Sequence, residues 1–212
     1  MVTFRRSCTS LALLVHAVTA FAQAGSFPTR EAAIAAAFPN KKVSEWVSTE
    51  ADFNGDGIKD LAVILTLDLE DKPIETRLVV LAGGRGGKYS HLSISAKYCD
   101  AQKFFNLEAK GTSLFVSEVH KADGDGLVSN TLQFRFNPML ADFELIGREN
   151  IYESFRDKEY GRTSVNYPAG MTTVYERKHG RIMVKERSRF APPLLARLNA
   201  FDCDNYFDRK PY

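Results

Sequence analysis

The sequence predicts a mainly β fold, either an antiparallel meander or a two-layer sandwich, with one short N-terminal helix; an α+β arrangement stays open. Three observations carry this expectation. Short runs of β-branched and aromatic residues recur along the chain, turn-forming Gly, Pro and Asp separate them, and only one stretch has helical composition. With 212 residues, 44% of them hydrophobic, the chain has enough apolar material for one sizeable core.

The helix is predicted over Arg30-Glu31-Ala32-Ala33-Ile34-Ala35-Ala36-Ala37, with Thr29 placed to cap its first turn and Pro39 to stop it. After it the period shortens. Strands are predicted at 43–51, 61–67, 76–82, 89–95, 114–120 and 127–136, and further ones at 143–147, 163–167, 171–177 and 181–187. Breaks at Asp71-Lys72-Pro73, 83–87 and Asp123-Gly124-Asp125-Gly126 fit antiparallel hairpins. One helical turn is expected around 194–200. A β-propeller is set aside, because no internal repeat of blade length is present.

Residues 1–24 read as a secretory signal: Arg5 and Arg6, an apolar stretch from Leu11 to Ala22, and a small-x-small site at Ala22-Gln23-Ala24. The expected product is one domain, 25–212, in the periplasm or outside the cell. Losing Arg5 and Arg6 leaves 26 basic residues against 26 acidic ones. A formally neutral exported chain gives no reason to expect nucleic acid as a partner. Cys99 and Cys203 remain after processing, and an oxidising compartment makes one intramolecular disulfide between them the expected outcome.

The motif richest in chemistry is Asp52-Phe53-Asn54-Gly55-Asp56-Gly57-Ile58-Lys59-Asp60, directly before the apolar run Leu61-Ala62-Val63-Ile64-Leu65. Its spacing places oxygen-bearing side chains at loop positions one, three, five and nine and glycine at position six. Carboxylates gathered at about 4 Å repel by roughly 4 kcal/mol per pair at an effective dielectric near 20, so a cation is the natural remedy. Calcium suits the set, because it takes about 6–8 hard oxygens at flexible distances. Asp52, Asn54, Asp56, Asp60 and the Ile58 carbonyl are therefore the candidate Ca2+ ligands. An EF-hand is excluded, since position twelve holds Val63 in place of glutamate.

An acid at position nine followed by Leu61-Ala62-Val63-Ile64 resembles the FG-GAP and VCBS type of calcium loop, in which strand, loop and strand form one hairpin-like unit. The resemblance implies side-chain ligation by Asp52, Asn54, Asp56 and Asp60, carbonyl ligation by Ile58, and glycines at 55 and 57 that permit the tight path. Phe143-Glu144-Leu145-Ile146-Gly147 and Ser164-Val165-Asn166-Tyr167-Pro168-Ala169-Gly170 resemble segments that accompany a single such loop in uncharacterised bacterial envelope proteins. That resemblance implies a family without an assigned chemistry. The lone loop points to calcium that pins a hairpin, with calcium that bridges to a ligand as the alternative.

Other motifs have plainer readings. Gly83-Gly84-Arg85-Gly86-Gly87-Lys88 lacks the leading glycine and trailing hydroxyl of a phosphate loop and joins two predicted strands, so a hairpin turn is expected. Asp123-Gly124-Asp125-Gly126 reads as a turn. His91, His120 and His179 fall on separate segments with no catalytic motif, and Trp46 reads as a core residue. Arg181, Lys185, Arg187 and Arg189 share one phase of strand alternation, which predicts a one-sided basic patch for an anionic ligand. The functional expectation is an exported calcium-binding module acting by binding, on an envelope protein or a glycan. The alternatives are a secreted hydrolase of wall or glycan substrates, or an accessory or inhibitor subunit.

Overall fold

The computed structural model describes residues 25–68, 75–98, 104–122, 126–156 and 158–202. Helix α1, Arg30–Ala37, is capped by the Thr29 hydroxyl oxygen, which accepts from the Ala32 amide at 3.1 Å. Eleven strands follow among the described residues. A four-stranded sheet is built from β1 (Lys42–Ala51), β2 (Asp60–Asp68), β3 (Glu75–Gly84) and β4 (Lys88–Ile94). A seven-stranded sheet contains β5 (Phe104–Lys110), β6 (Ser113–Ala122), β7 (Gly126–Asn137), β8 (Asp142–Ser154), β9 (Tyr160–Asn166), β10 (Met171–Lys178) and β11 (Arg181–Arg189).

Within each sheet every strand pairs antiparallel with its neighbour in sequence. The connectivity is thus a meander, while the packing is a sandwich. Ala62, Ile64, Leu78 and Val80 of the smaller sheet share one core with Leu107, Leu114, Val116, Leu132, Phe134, Phe143 and Leu145 of the larger. The opposite phase of β2 and β3, namely Leu61, Val63, Leu65, Val79 and Leu81, packs beneath α1 around Ala33. Burial on both faces explains why 61–65 is a continuous apolar run where a half-exposed strand would alternate.

After β11 the chain returns across the core. The Phe190 amide donates to the Gly170 carbonyl at 2.8 Å, the Leu145 amide donates to the Ala196 carbonyl at 2.9 Å, and Glu144 bridges Arg197. A single 3-10 turn, Leu198–Ala200, then places Leu198 and Phe201 in the common core, with the Phe201 ring against Tyr98 and Phe134. Asp142 fastens this strap. Its carboxylate accepts from the Ser93 hydroxyl on β4 and from the Phe143 and Asn199 amides.

Ten of the strands stand where the sequence places them; β5 was not anticipated, and β8 runs on to Ser154, beyond the expected 147. The segment Ser164 to Gly170 is a structural turn: Asn166 Oδ1 accepts from the Ala169 amide and the Gly170 amide reaches the Tyr167 carbonyl. Gly170 has φ +56, and a Cβ there would meet the Phe190 carbonyl oxygen at 2.2 Å. The turns at Asp71-Lys72-Pro73 and Asp123-Gly124-Asp125 lie outside the described residues, as do Cys99, Cys203, residues 1–24 and the Trp46 side chain.

Candidate metal centre

The 52–60 loop joins β1 to β2, whose register carries Ala51 opposite Asp60. It therefore closes a hairpin, in agreement with the sequence. Two glycines take the left-handed backbone the path needs, Gly55 at φ 80 and Gly57 at φ 83. The side chains named as ligands are turned inward onto the loop's own amides. Asp52 Oδ1 accepts from the Gly55 and Asp56 amides at 2.7 and 3.1 Å, and Asp52 Oδ2 from the Gly57 amide at 2.9 Å. Asn54 Oδ1 accepts from the Asp56 amide at 2.9 Å, and Asp56 Oδ1 from the Ile58 amide at 2.8 Å.

Asp60 is set apart from the others. It is 1% exposed, and its carboxylate collects three amides from two places in the fold: Phe53 at 2.9 Å and Asn54 at 3.2 Å from the loop, and Gly83 at 3.0 Å from the end of β3. Burial raises its pKa above the ordinary aspartate value, the three amides pull it back, and neighbouring Asp56 adds to the rise. Gly83 makes this contact possible. A Cβ at that position would lie 2.0 Å from the Lys59 carbonyl oxygen, so only glycine lets β3 approach the loop so closely.

The donor chemistry fits a hard divalent cation. Seven backbone amides already make eight hydrogen bonds to four side chains. A carboxylate or amide oxygen has two acceptor sites, so Asp52 Oδ2, Asn54 Oδ1 and Asp56 Oδ1, each holding one amide, keep a lone pair for a metal. Asp56 Oδ2 accepts from the Asn54 side-chain amide at 3.1 Å, a bond that closure around an ion would exchange for ligation. Among the described residues no three His, Cys, Asp or Glu side chains converge in the manner of a metal cluster. With Asp52, Asn54, Asp56, Asp60 and the Ile58 carbonyl as ligands, the ion's role would be to neutralise the loop and hold β1 and β2 in register.

The basic patch departs from its predicted geometry. Between Val174 and Tyr175 the β10–β11 register slips, so that Val174 faces Glu186 and Tyr175 faces Val184, leaving Lys185 as an extra residue. A bulge reverses the phase of alternation. Arg187 and Arg189 therefore share a face with Ile182 and Val184, opposite Thr173, Met171, Arg177 and Tyr175, whereas Arg181 lies on the other face with Met183. The four cations do not form a one-sided patch, although all stand on the exposed strand β11.

The remaining motifs take their plainer readings. The segment from Gly83 to Lys88 is the β3–β4 hairpin turn, with Gly86 and Gly87 at positive φ. His91 docks α1, its Nε2 2.7 Å from the Ala33 carbonyl, while exposed His120 lies on β6 and His179 in the β10–β11 turn. Two further features lie outside the sequence motifs. One is Gly83 as a partner of the loop, 23 residues from Asp60. The other is the buried relay in which Asn130 donates to Glu118 Oε1 at 2.9 Å and accepts from Asn150. Glu118 carries its own signal, since it continues the core phase of Leu114 and Val116, where an acid is out of place.

A comparison with models of known families finds no match for this chain, and neither does a comparison with the curated proteins.

Proposed function

We propose that this is an exported β sandwich that acts by binding, with Ca2+ in the 52–60 loop as a structural element. The observation that carries the reading is the set of eight hydrogen bonds by which seven backbone amides hold Asp52, Asn54, Asp56 and Asp60 on one loop between two core strands. No helix among the described residues is long and apolar enough to cross a membrane. The apolar stretch at the start of the sequence supports export, and calcium at about 0.1–1 mM is the range in which extracellular loops work. A Cys99–Cys203 disulfide belongs to the same reading. Support for it comes from Tyr98, which precedes Cys99, and Phe201, two residues before Cys203, whose ring centroids are 5.6 Å apart.

The test is thermal unfolding with and without calcium. Ligand at ten times its dissociation constant stabilises by about 1.4 kcal/mol. For a domain of this size that raises Tm by about 3–6 °C. The rise is expected in the wild type and not in Asp56→Ala; identical midpoints with and without calcium in the wild type would refute the proposal.

A further inference from the structure

We propose that the free edge of β11 is a docking site for an acidic extended peptide, which adds to the seven-stranded sheet as a further strand. The two sheets end in four edge strands, β1, β4, β5 and β11. β1 and β5 lie against each other, and β4 is bridged at Tyr89 by Phe27. β11 pairs with β10 on one side only, and all nine of its residues are exposed.

Such an edge presents alternate backbone donors and acceptors to any strand that can pair with it. Its side chains select the partner. Arg162 and Arg177 on the neighbouring strands are ion-paired to Glu149 and Glu153, and Lys185 to Glu176. Among the described residues no carboxylate comes within ion-pair distance of Arg181, Arg187 or Arg189. At the other end of the strand Ile182, Met183 and Val184 are 49, 51 and 44% exposed. The bulge at Lys185 makes the pattern specific, because it brings Arg187 and Arg189 onto the same face as Ile182 and Val184.

One face of the edge is thus apolar in its first half and doubly cationic in its second. An antiparallel partner complements it with alternate acids in its own first half and alternate apolar residues in its second. A second copy of β11 is the wrong occupant, since antiparallel pairing would set its Ile182 and Val184 against Arg187 and Arg189 and bring no acid to them. This deepens the reading of the protein as a binding module and is independent of calcium in the loop.

The probe is a synthetic peptide with that face pattern, acid residues then valines at alternate positions, labelled for fluorescence anisotropy and titrated with the mature protein. Expected are saturable binding, at least about tenfold weaker binding to Arg187→Glu/Arg189→Glu, and loss of binding when the peptide's pairing amides are N-methylated. Circular dichroism checks that the double variant keeps its fold. Failure to bind, equal binding by a scrambled or N-methylated peptide, or concentration-dependent self-association through β11 each overturns the proposal. Titrations with calcium and with excess chelator are expected to agree, so a failed calcium reading and a failed edge are told apart.

Discussion

Three amides converge on Asp60 because a buried carboxylate must be offset, and each amide comes from a segment that would otherwise have to be held by its own contacts. Removing the carboxylate strands the Phe53 amide inside the core and frees the loop from β3. Asp60→Ala is expected to lose about 2–3 kcal/mol, a magnitude typical of hydrogen bonds to a charged group, measured by urea unfolding in chelator. A loss below about 0.5 kcal/mol would contradict this role. The motif spacing made Asp60 legible as a member of the loop. Its dependence on Gly83 was not legible, because nothing local to 83 reports that the Lys59 carbonyl oxygen fills the space a side chain would need.

Elements were legible wherever burial was simple. β2 and β3 announce themselves by apolar runs because both their faces are covered, one by α1 and one by the larger sheet. β5 hides behind Asn106, Glu108, Ala109 and Lys110, residues of weak strand preference, and is held by its pairing to β6. In β11 the sequence period predicts unbroken alternation, and the extra residue at Lys185 inverts it halfway. Register slips of this kind are set by the partner strand, so period alone does not reveal them. The 190–202 strap is another element whose importance depends on distant partners. Phe201→Ala leaves a cavity between Tyr98 and Phe134 and is expected to cost about 3–5 kcal/mol in chemical denaturation, whereas Leu194, fully exposed, tolerates truncation.

At the scale of the whole molecule, four strands face seven, and the mismatch is resolved by a helix over the small sheet and a returning tail beside it. The mainly β class followed from turn spacing. The choice between meander and sandwich did not, since the two answers describe connectivity and packing, and this fold has both. The proposed Cys99–Cys203 link would join the start of the larger sheet to the end of the strap. Closing a loop of about 100 residues contributes up to about 4.7 kcal/mol by chain entropy. Mass spectrometry of the protein produced in an oxidising compartment and kept free of reductant is expected to find both thiols oxidised, with a lower Tm after reduction; two free thiols would refute the link.

Leu198 and Phe201 follow all eleven strands in chain order, yet they occupy the centre of the interior. Neighbouring strands can zip together as they emerge, but apolar side chains such as Tyr98 and Phe134 lack part of their cover until the last plug arrives. A half-made molecule is consequently adhesive.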